Sequence, residues 1–147
     1  MKTIKHAFLI DDDAVINMIN IKVIEFSKLA SKVTSVTNAK EALDMLTKIG
    51  VSESDTFPEI IFLDINMPDM DGWDFLNVFI KFPDSLLEKC RIIMLTSSID
   101  LFDIKRAKTY PIVDDYILKP LNIKVLDMLG SERHHFFSIS QTALLEI

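Results

Sequence analysis

One stretch of the chain decides its fold: residues 60–72, with the sequence IIFLDINMPDMDG. Its first four residues are apolar, as in a buried strand, and they end at the acid Asp64. A turn containing Pro68 follows, and Asp71-Gly72 then opens an apolar pattern with helical spacing. A strand, a short loop and a helix in this order form the repeating unit of α/β proteins.

The same unit recurs on both sides of this stretch. Apolar runs predict five strands, at Ala7–Ile10, Ser31–Val36, Ile60–Leu63, Arg91–Leu95 and Asp115–Leu118. Helical spacing predicts five helices, from Ala14 to about Leu29, from the cap Asn38 to Gly50, from Gly72 to about Phe82, from Leu101 to about Lys108, and over Ile123–Leu129. Loops are predicted at Val51–Pro58 and Pro83–Lys89. The alternation predicts an α/β fold with a doubly wound, five-stranded parallel sheet that is covered on both faces.

Polar side chains stand where four of these strands end. Asp11 and Asp12 follow the first strand, Asp64 the third, Thr96 the fourth and Lys119 the fifth. In doubly wound sheets, ligands bind beyond the carboxyl ends of the strands. Two carboxylates held ~4 Å apart repel by roughly 4 kcal/mol at an effective dielectric constant of ~20. A hard divalent cation relieves this repulsion best, so the pattern predicts metal-dependent phosphoryl chemistry.

Composition limits the class of protein and its partners. The 147 residues are 49% hydrophobic and 26% charged, and we expect one globular domain over residues 1–130 and a tail over 131–147 without an effector domain. The net charge of −6 argues against a nucleic-acid or anionic-membrane partner. The lone cysteine, Cys90, excludes a disulfide framework. No apolar run approaches the ~18 residues of a membrane span, so we expect a cytoplasmic protein.

Four motifs in a fixed order carry a family resemblance. They are FLIDDD at residues 8–13, DINMPDMDG at 64–72, MLTSS at 94–98 and YILKP at 116–120. Together they resemble the CheY-like receiver domain of two-component response regulators, over about Lys5 to Leu129. The resemblance implies the (βα)5 flavodoxin-like fold with strand order 2-1-3-4-5. It also implies a stand-alone phosphoacceptor protein of signal transduction rather than a conventional enzyme.

The resemblance assigns a phosphorylation site and a metal site. Asp64 stands where the family accepts a phosphoryl group from a sensor histidine kinase or a histidine phosphotransfer protein. Asp11, Asp12 and Asp64, with the backbone carbonyl of Asn66, stand where the family binds Mg²⁺. By the same resemblance these groups take part in the protein's own phosphorylation and autodephosphorylation.

The resemblance also assigns a switch. Lys119 would pair with a phosphoryl oxygen, Thr96 would move toward another, and the ring of Tyr116 would fill the space that Thr96 leaves. The face made by the fourth predicted helix, the fifth strand and the fifth predicted helix (α4-β5-α5 in the family) would then bind a downstream protein, whose identity stays open. Dimerisation on phosphorylation stays open too.

Other interpretations of the same residues stay open. Thr96 could be a simple strand residue, Lys119 an exposed lysine and Tyr116 a half-buried strand aromatic. The domain could be an interaction module that takes no phosphate. A phosphatase of the haloacid-dehalogenase type would need an acid two residues after Asp64, where this chain has Asn66. A flavin-binding fold of the flavodoxin type would need a hydroxyl-rich phosphate loop after the first strand, where this chain has three acids.

Several segments depart from the pattern or give little signal. Residues 110–115 lack the glycine that the family places before the fifth strand, so we expect a reshaped segment there. The tail is expected to extend the last helix or to pack on the domain, with partner binding as the alternative. His6 shows no partner in the sequence and is expected to be structural or exposed.

Overall fold

The computed structural model describes residues 4–131. The strands are β1 (Ile4–Ile10), β2 (Ala30–Val36), β3 (Ile60–Asp64), β4 (Arg91–Thr96) and β5 (Val113–Leu118). The helices are α1 (Ala14–Ser27), α2 (Ala39–Ser52), α3 (Gly72–Phe79), α4 (Asp84–Leu87), α5 (Leu101–Ala107) and α6 (Ile123–Ser131), with a 3-10 helix at Ser54–Thr56. Apart from Ser131, the predicted tail over 131–147 lies outside the described residues.

The strands form one parallel sheet in the order β2-β1-β3-β4-β5, which confirms the predicted fold class and strand order. The register aligns the strand ends: Ile10 pairs with Leu63, Asp64 with Leu95, and Thr96 with Leu118. The polar residues at these ends therefore meet at one edge of the sheet. No helix within residues 4–131 has both the length and the apolar character to cross a membrane.

Two apolar layers cover the two faces of the sheet, and they bury most residues of every strand except the edge strand β2. One layer packs against α2, α3 and α5 and includes Phe8, Ile61 and Met94; the other packs against α1 and α6 and includes Leu9, Phe62 and Leu126. Cys90 is fully buried in the first layer, as expected for a small apolar residue.

The structure corrects several predicted bounds. The predicted loop Pro83–Lys89 contains the short helix α4, and the predicted loop Val51–Pro58 contains the end of α2 and the 3-10 helix. The predicted third helix ends at Phe79 rather than near Phe82. β5 begins two residues earlier than predicted, because a β-bulge lies between its pairs with Ile92 and Ile93.

The buried face of α1 also differs from the apolar pattern. Val15 is 62% exposed and Phe26 is 77% exposed, although both belong to that pattern. The residues of α1 that are buried are Asn17, Asn20 and Ile24. The helix therefore turns a partly polar face toward the sheet, and the apolar residues alone do not define its orientation.

The C-terminus of α1 predicts a stabilising substitution. Lys28 follows the helix in the left-handed region, with φ 59°, and its N–H reaches the carbonyls of Glu25 and Ile24. A side chain makes this conformation costly, whereas glycine adopts it freely. Lys28→Gly is expected to raise the free energy of unfolding by about 0.5 to 1 kcal/mol, measured by urea denaturation.

The matched control places the same substitution inside the helix. Lys22 is exposed and lies in the interior of α1, where glycine costs about 1 kcal/mol relative to good helix formers. Lys22→Gly is therefore expected to destabilise the protein. Equal losses for both variants would show that the left-handed residue carries no strain.

His6 is structural, which is the first of its two expected roles, and it has partners that the sequence did not indicate. Its side chain lies on β1 and is 2% exposed. The ring Nδ1 lies 2.8 Å from the carbonyl of Thr56, to which it can only donate, and Nε2 lies 2.7 Å from the hydroxyl of Thr34. His6 thus ties β1 to β2 and to the 3-10 helix. No sequence pattern indicates these contacts, because both partners are distant from His6 in the chain.

His6 makes stability depend on pH. Burial lowers the pKa of this imidazole below its ordinary value of 6.5, the hydrogen bond to Thr56 opposes the shift in part, and the charge of Lys32 adds to it. Below pH 6.5 the unfolded chain therefore binds a proton more readily than the folded one, and stability is lost as pH falls. We expect the stability advantage of the wild type over His6→Gln to shrink between pH 7.5 and 5.5 in urea titrations. An advantage that is constant with pH would contradict this expectation.

Candidate functional site

Three carboxylates meet at the edge where β1 and β3 end. Asp11 and Asp12 follow β1, and Asp64 is the last residue of β3, the neighbouring strand. One oxygen from each lies within 4.8 Å of the others. Asp11 and Asp64 are 1% and 3% exposed, whereas Asp12 is open to solvent. These three residues form a small acidic basin, in which Asp11 and Asp64 are buried and Asp12 is exposed.

Asp13 completes the turn without joining this cluster. Its carboxylate accepts hydrogen bonds from the backbone N–H groups of Val15 and Ile16, at 2.9 and 3.2 Å, and so caps α1. Its own N–H donates to the Asp11 carboxylate at 2.9 Å. The third acid of the run therefore holds α1 and the first acid in place.

A lysine connects the two buried acids. Lys119 follows β5, and its Nζ lies 2.9 Å from Asp11 Oδ2 and 3.2 Å from Asp64 Oδ1. Burial favours the neutral amine, but the hydrogen bond to Asp11 and the charge of Asp64 raise its pKa above the ordinary value. The peptide bond from Lys119 to Pro120 is cis. The ammonium is therefore charged and held between the acids.

The electrostatic environment of Asp64 is unfavourable for a carboxylate. Burial and the neighbouring charge of Asp11 raise its pKa from 3.8 to about 6, although Lys119 partly opposes the shift. One ammonium cannot balance three acids in a poorly solvated site. A further positive charge beside Asp64 is the simplest way to relieve this repulsion.

The three carboxylates of the basin are suitable ligands for Mg²⁺, although the basin also contains the Lys119 ammonium, which cannot bind a metal ion. Opposite ligands of Mg²⁺ lie about 4 Å apart, twice its usual bond length. Adjacent ligands lie about 3 Å apart, and the three carboxylate oxygens, which lie within 4.8 Å of one another, are close enough to converge on one ion. Asn66 lies two residues beyond Asp64 in an exposed position, from which its backbone carbonyl is the fourth candidate ligand.

A hydroxyl and a buried phenol lie next to the basin. Thr96 ends β4, is 3% exposed, and donates its hydroxyl to the carbonyl of Ser98 at 2.7 Å. The Tyr116 ring on β5 is fully buried, and its hydroxyl lies 3.4 Å from Asp103 on α5. Burial raises the pKa of the Tyr116 phenol, a hydrogen bond with Thr96 partly opposes this, and the charge of Asp103 adds to it. Tyr116 is thus not the half-buried strand aromatic of the alternative interpretation.

A glycine allows the helix after Asp64 to approach the basin. The N–H of Gly72 donates to the carbonyl of Ile65 at 2.8 Å. A Cβ at Gly72 would lie 2.7 Å from the backbone oxygen of Asp64, which is closer than such atoms come. The intervening turn includes Asp69 with φ 68°, and Asp71 caps α3 through a capping box with Asp74. The turn and the glycine together fix the backbone on which Asp64 stands.

The structure brings most of the predicted residues together, and it adds two. Asp11, Asp12, Asp64 and Lys119 share one basin, and Thr96 and Tyr116 lie beside it on β4 and β5. The sequence interpretation missed two asparagines of α1, Asn17 and Asn20, which contact the backbone of the same loops. Their spacing of three residues, which puts both on one helix face, was the available signal.

Comparisons with known proteins agree with this architecture. The family model described as "Response regulator receiver domain" matches residues 7–129. Protein PilG from Pseudomonas aeruginosa is 33% identical over 100 residues, covering 68% of this chain and 67% of that protein. Hybrid signal transduction histidine kinase L from Dictyostelium discoideum is 30% identical over 122 residues, covering 82% of this chain but 7% of that protein.

Solved structures show the same fold. A two component response regulator from Cytophaga hutchinsonii superposes with a TM-score of 0.81 at 31% identity, covering 87% of this chain and 95% of that one. Chemotaxis protein CheY4 from Vibrio cholerae superposes with a TM-score of 0.67 at 21% identity, covering 86% and 97%, a likeness that concerns the fold alone.

Proposed function

Because this chain belongs to the response regulator receiver domain family of two-component systems, we propose that it accepts a phosphoryl group on Asp64 in a Mg²⁺-dependent reaction. The observation that carries the proposal is the basin itself. Three carboxylates lie within 4.8 Å and a lysine ammonium contacts two of them. The donor is the phosphohistidine of a histidine kinase or of a histidine phosphotransfer protein.

The transfer uses Asp64 as the nucleophile. Its free carboxylate oxygen forms a bond to phosphorus, the P–N bond to the donor histidine breaks, and the imidazole leaves and takes up a proton. The product is an acyl phosphate, and negative charge on the transferred group must be stabilised throughout. Lys119 stands 3.2 Å from Asp64 and is placed to pair with a phosphoryl oxygen.

The metal is held by the acids. Asp11, Asp12 and Asp64, with the carbonyl of Asn66, are the proposed ligands of Mg²⁺. When bound, Mg²⁺ supplies positive charge that offsets both the carboxylates and the phosphoryl oxygens. Asp12 is exposed and meets the solvated side of the basin, whereas Asp11 is already shared with Lys119.

Phosphorylation is proposed to act on the switch through Thr96. Its hydroxyl donates to Ser98 in this structure, so binding a phosphoryl oxygen requires it to exchange that partner. Tyr116 is the neighbour we expect to respond, because Thr96 lies close enough to its phenol to influence the pKa of that group. The phenol also contacts Asp103, which carries the change to α5. The predicted output face is α5, β5 and α6 in the observed numbering, and its exposed apolar residues include Phe102.

The test uses beryllofluoride, a mimic of the phosphoryl group, with Mg²⁺. Backbone NMR shifts are expected near Asp64, and also at Thr96, Tyr116 and along α5, in the wild type. Asp64→Asn is expected to abolish them. Asp69→Asn is the matched control, since it makes the same change in an exposed residue of the adjacent turn and at a left-handed position that asparagine tolerates. No response in the wild type, or the same response in Asp64→Asn, would overturn the proposal.

Removing the lysine is expected to separate binding from switching. In Lys119→Ala the three acids remain, so Mg²⁺ affinity is expected to be equal to or higher than in the wild type. The shifts caused by beryllofluoride are expected to remain near Asp64 but to fade at Tyr116 and α5. Lys124→Ala, an exposed residue on α6, is the control and is expected to behave as the wild type. Full propagation in Lys119→Ala would show that this lysine has no part in the switch.

A further inference from the structure

The buried face of α1 contains two asparagines where an apolar residue is usual. Asn17 is 3% exposed and Asn20 is fully buried, and both point inward beside Ile24. Burying an amide costs free energy unless it makes hydrogen bonds. The two residues lie three positions apart and therefore share one face of the helix. Their contacts show what they do there.

Each asparagine holds the backbone of one loop of the basin. Asn17 Nδ2 donates to the carbonyl of Asp11 at 2.9 Å. Asn20 Oδ1 accepts from the N–H of Leu121 at 2.9 Å, two residues after Lys119. These partners also settle the orientation of both amides, because a carbonyl needs a donor and an N–H needs an acceptor.

The strands that these two loops follow are not neighbours in the sheet. The loops follow β1 and β5, and β3 and β4 lie between those strands. On the solvent side they are joined by the contact of Lys119 with Asp11. On the interior side they are joined by Asn17 and Asn20 through one turn of α1. The acid and the lysine are thus held from both sides.

We propose that Asn17 and Asn20 are positioning residues that set the distance between Asp11 and Lys119. Asn17 fixes the acid that contributes to the metal site, and Asn20 fixes the loop that carries the lysine. The inference rests on the proposed function, because it concerns how this basin binds Mg²⁺ and a phosphoryl group. It assigns the two residues different effects, which a merely structural role would not produce.

The test measures two affinities in leucine variants of similar volume. Mg²⁺ alone is titrated by the fluorescence of Trp73, which follows Gly72 beside the basin and is the only tryptophan of the chain. Beryllofluoride is then titrated at saturating Mg²⁺. Asn17→Leu is expected to weaken Mg²⁺ binding by about tenfold, because it removes a group that orients a metal ligand and such losses typically have an effect of this size. Asn20→Leu is expected to keep Mg²⁺ affinity within about twofold and to weaken beryllofluoride binding by about tenfold.

Ile24→Ala separates positioning from general loss of stability. Ile24 is the third buried residue of α1, and neither of the contacts to Asp11 and Leu121 involves it. Its truncation destabilises the core by leaving a cavity. Both affinities are nevertheless expected to match the wild type. If both affinities were weakened equally in Ile24→Ala and in the asparagine variants, the cause would be a general loss of stability, and the inference would be overturned.

Aspartate variants provide a second test that keeps size and adds the same charge to each position. Asn20→Asp retains an acceptor for the N–H of Leu121, so beryllofluoride affinity is expected to recover to within about threefold of the wild type. Asn17→Asp loses the donor to Asp11 and is expected not to recover Mg²⁺ affinity. Wild-type binding in all four variants would overturn the inference and leave the proposed function intact. No binding by the wild type itself would overturn the proposed function.

Discussion

Asp64→Asn is expected to make the protein more stable, by up to about 3 kcal/mol at pH 7.5 in the presence of a chelator. The carboxylate of Asp64 is buried beside Asp11, which raises its pKa from 3.8 to about 6. Its ionisation at pH 7.5 is therefore less favourable in the folded state than in the unfolded chain. Asparagine keeps the shape without the charge, and Lys119 keeps its contact with Asp11 at 2.9 Å.

The pH dependence gives this prediction a definite sign. Between pH 3.8 and about 6 the folded wild type binds more protons at Asp64 than the unfolded chain does, so its stability falls as pH rises through this window. The asparagine variant lacks this titration. The two proteins are expected to be similarly stable near pH 4 and to differ fully above pH 6, as measured by urea denaturation in EDTA.

Mg²⁺ is expected to reduce the difference. A ligand that binds only the folded state stabilises it by about 2.7 kcal/mol at one hundred times its dissociation constant. Bound Mg²⁺ therefore stabilises the wild type by this amount, and it stabilises the variant, which has one acid fewer, by less. Asp69→Asn is again the control and is expected to show no stabilisation. A variant that is no more stable than the wild type in EDTA at pH 7.5 would contradict the prediction.

The position of the site at one edge of the sheet could be predicted from the sequence, because it follows from two regular features of the chain. Apolar runs mark buried parallel strands, and the residue after each run lies at the same edge. Asp11, Asp64 and Lys119 follow from this rule without any knowledge of the strand register. Their distances do not, because 2.9 and 3.2 Å depend on the side-chain conformation of one lysine between two acids.

The two buried asparagines of α1 that hold the loops of the basin, Asn17 and Asn20, could not be predicted in the same way. The apolar spacing of α1 suggested a face including Val15, yet Asn17 and Asn20 are buried instead. Their partners are backbone groups of loops, one of them 101 residues away in the chain. Hydrophobic periodicity contains no information about such contacts. A buried asparagine becomes favourable only when the fold supplies a partner.

Local irregularities were predicted only in part. The missing glycine before β5 predicted a reshaped segment over residues 110–115 but no particular shape, and the structure has a β-bulge near Asp114 in that range. Arg91 binds Asp114 at 2.6 Å and the carbonyl of Leu129 at 2.8 Å, which joins β4, β5 and α6 across this bulge. An arginine, an acid and a carbonyl that are distant in sequence give no pattern before the chain is folded.

Gly72→Ala is expected to destabilise the protein by about 3 kcal/mol, at the upper end of the cost of overpacking a well-ordered site. The new Cβ would lie 2.7 Å from the backbone oxygen of Asp64 and 3.0 Å from the Cα of Ile65. Both are backbone atoms at the end of a central strand and cannot turn away as a side chain can. The clash therefore moves the backbone that carries Asp64, so phosphorylation by a small-molecule phosphodonor is expected to slow by more than about tenfold.

Gly50→Ala shows why the position of the clash matters more than its distance. A Cβ at Gly50 would lie 2.6 Å from Leu86, nominally closer than the contact at Gly72, but the atom is the end of a flexible side chain. Gly50 also lies inside α2, where alanine gains about 1 kcal/mol over glycine. Its unfolding free energy is therefore expected to stay within about 1 kcal/mol of the wild type, with an unchanged phosphorylation rate. Similar losses in both variants would mean that the approach of α3 to Asp64 has no special role, whereas a loss confined to Gly72→Ala would tie the geometry of Asp64 to this one glycine.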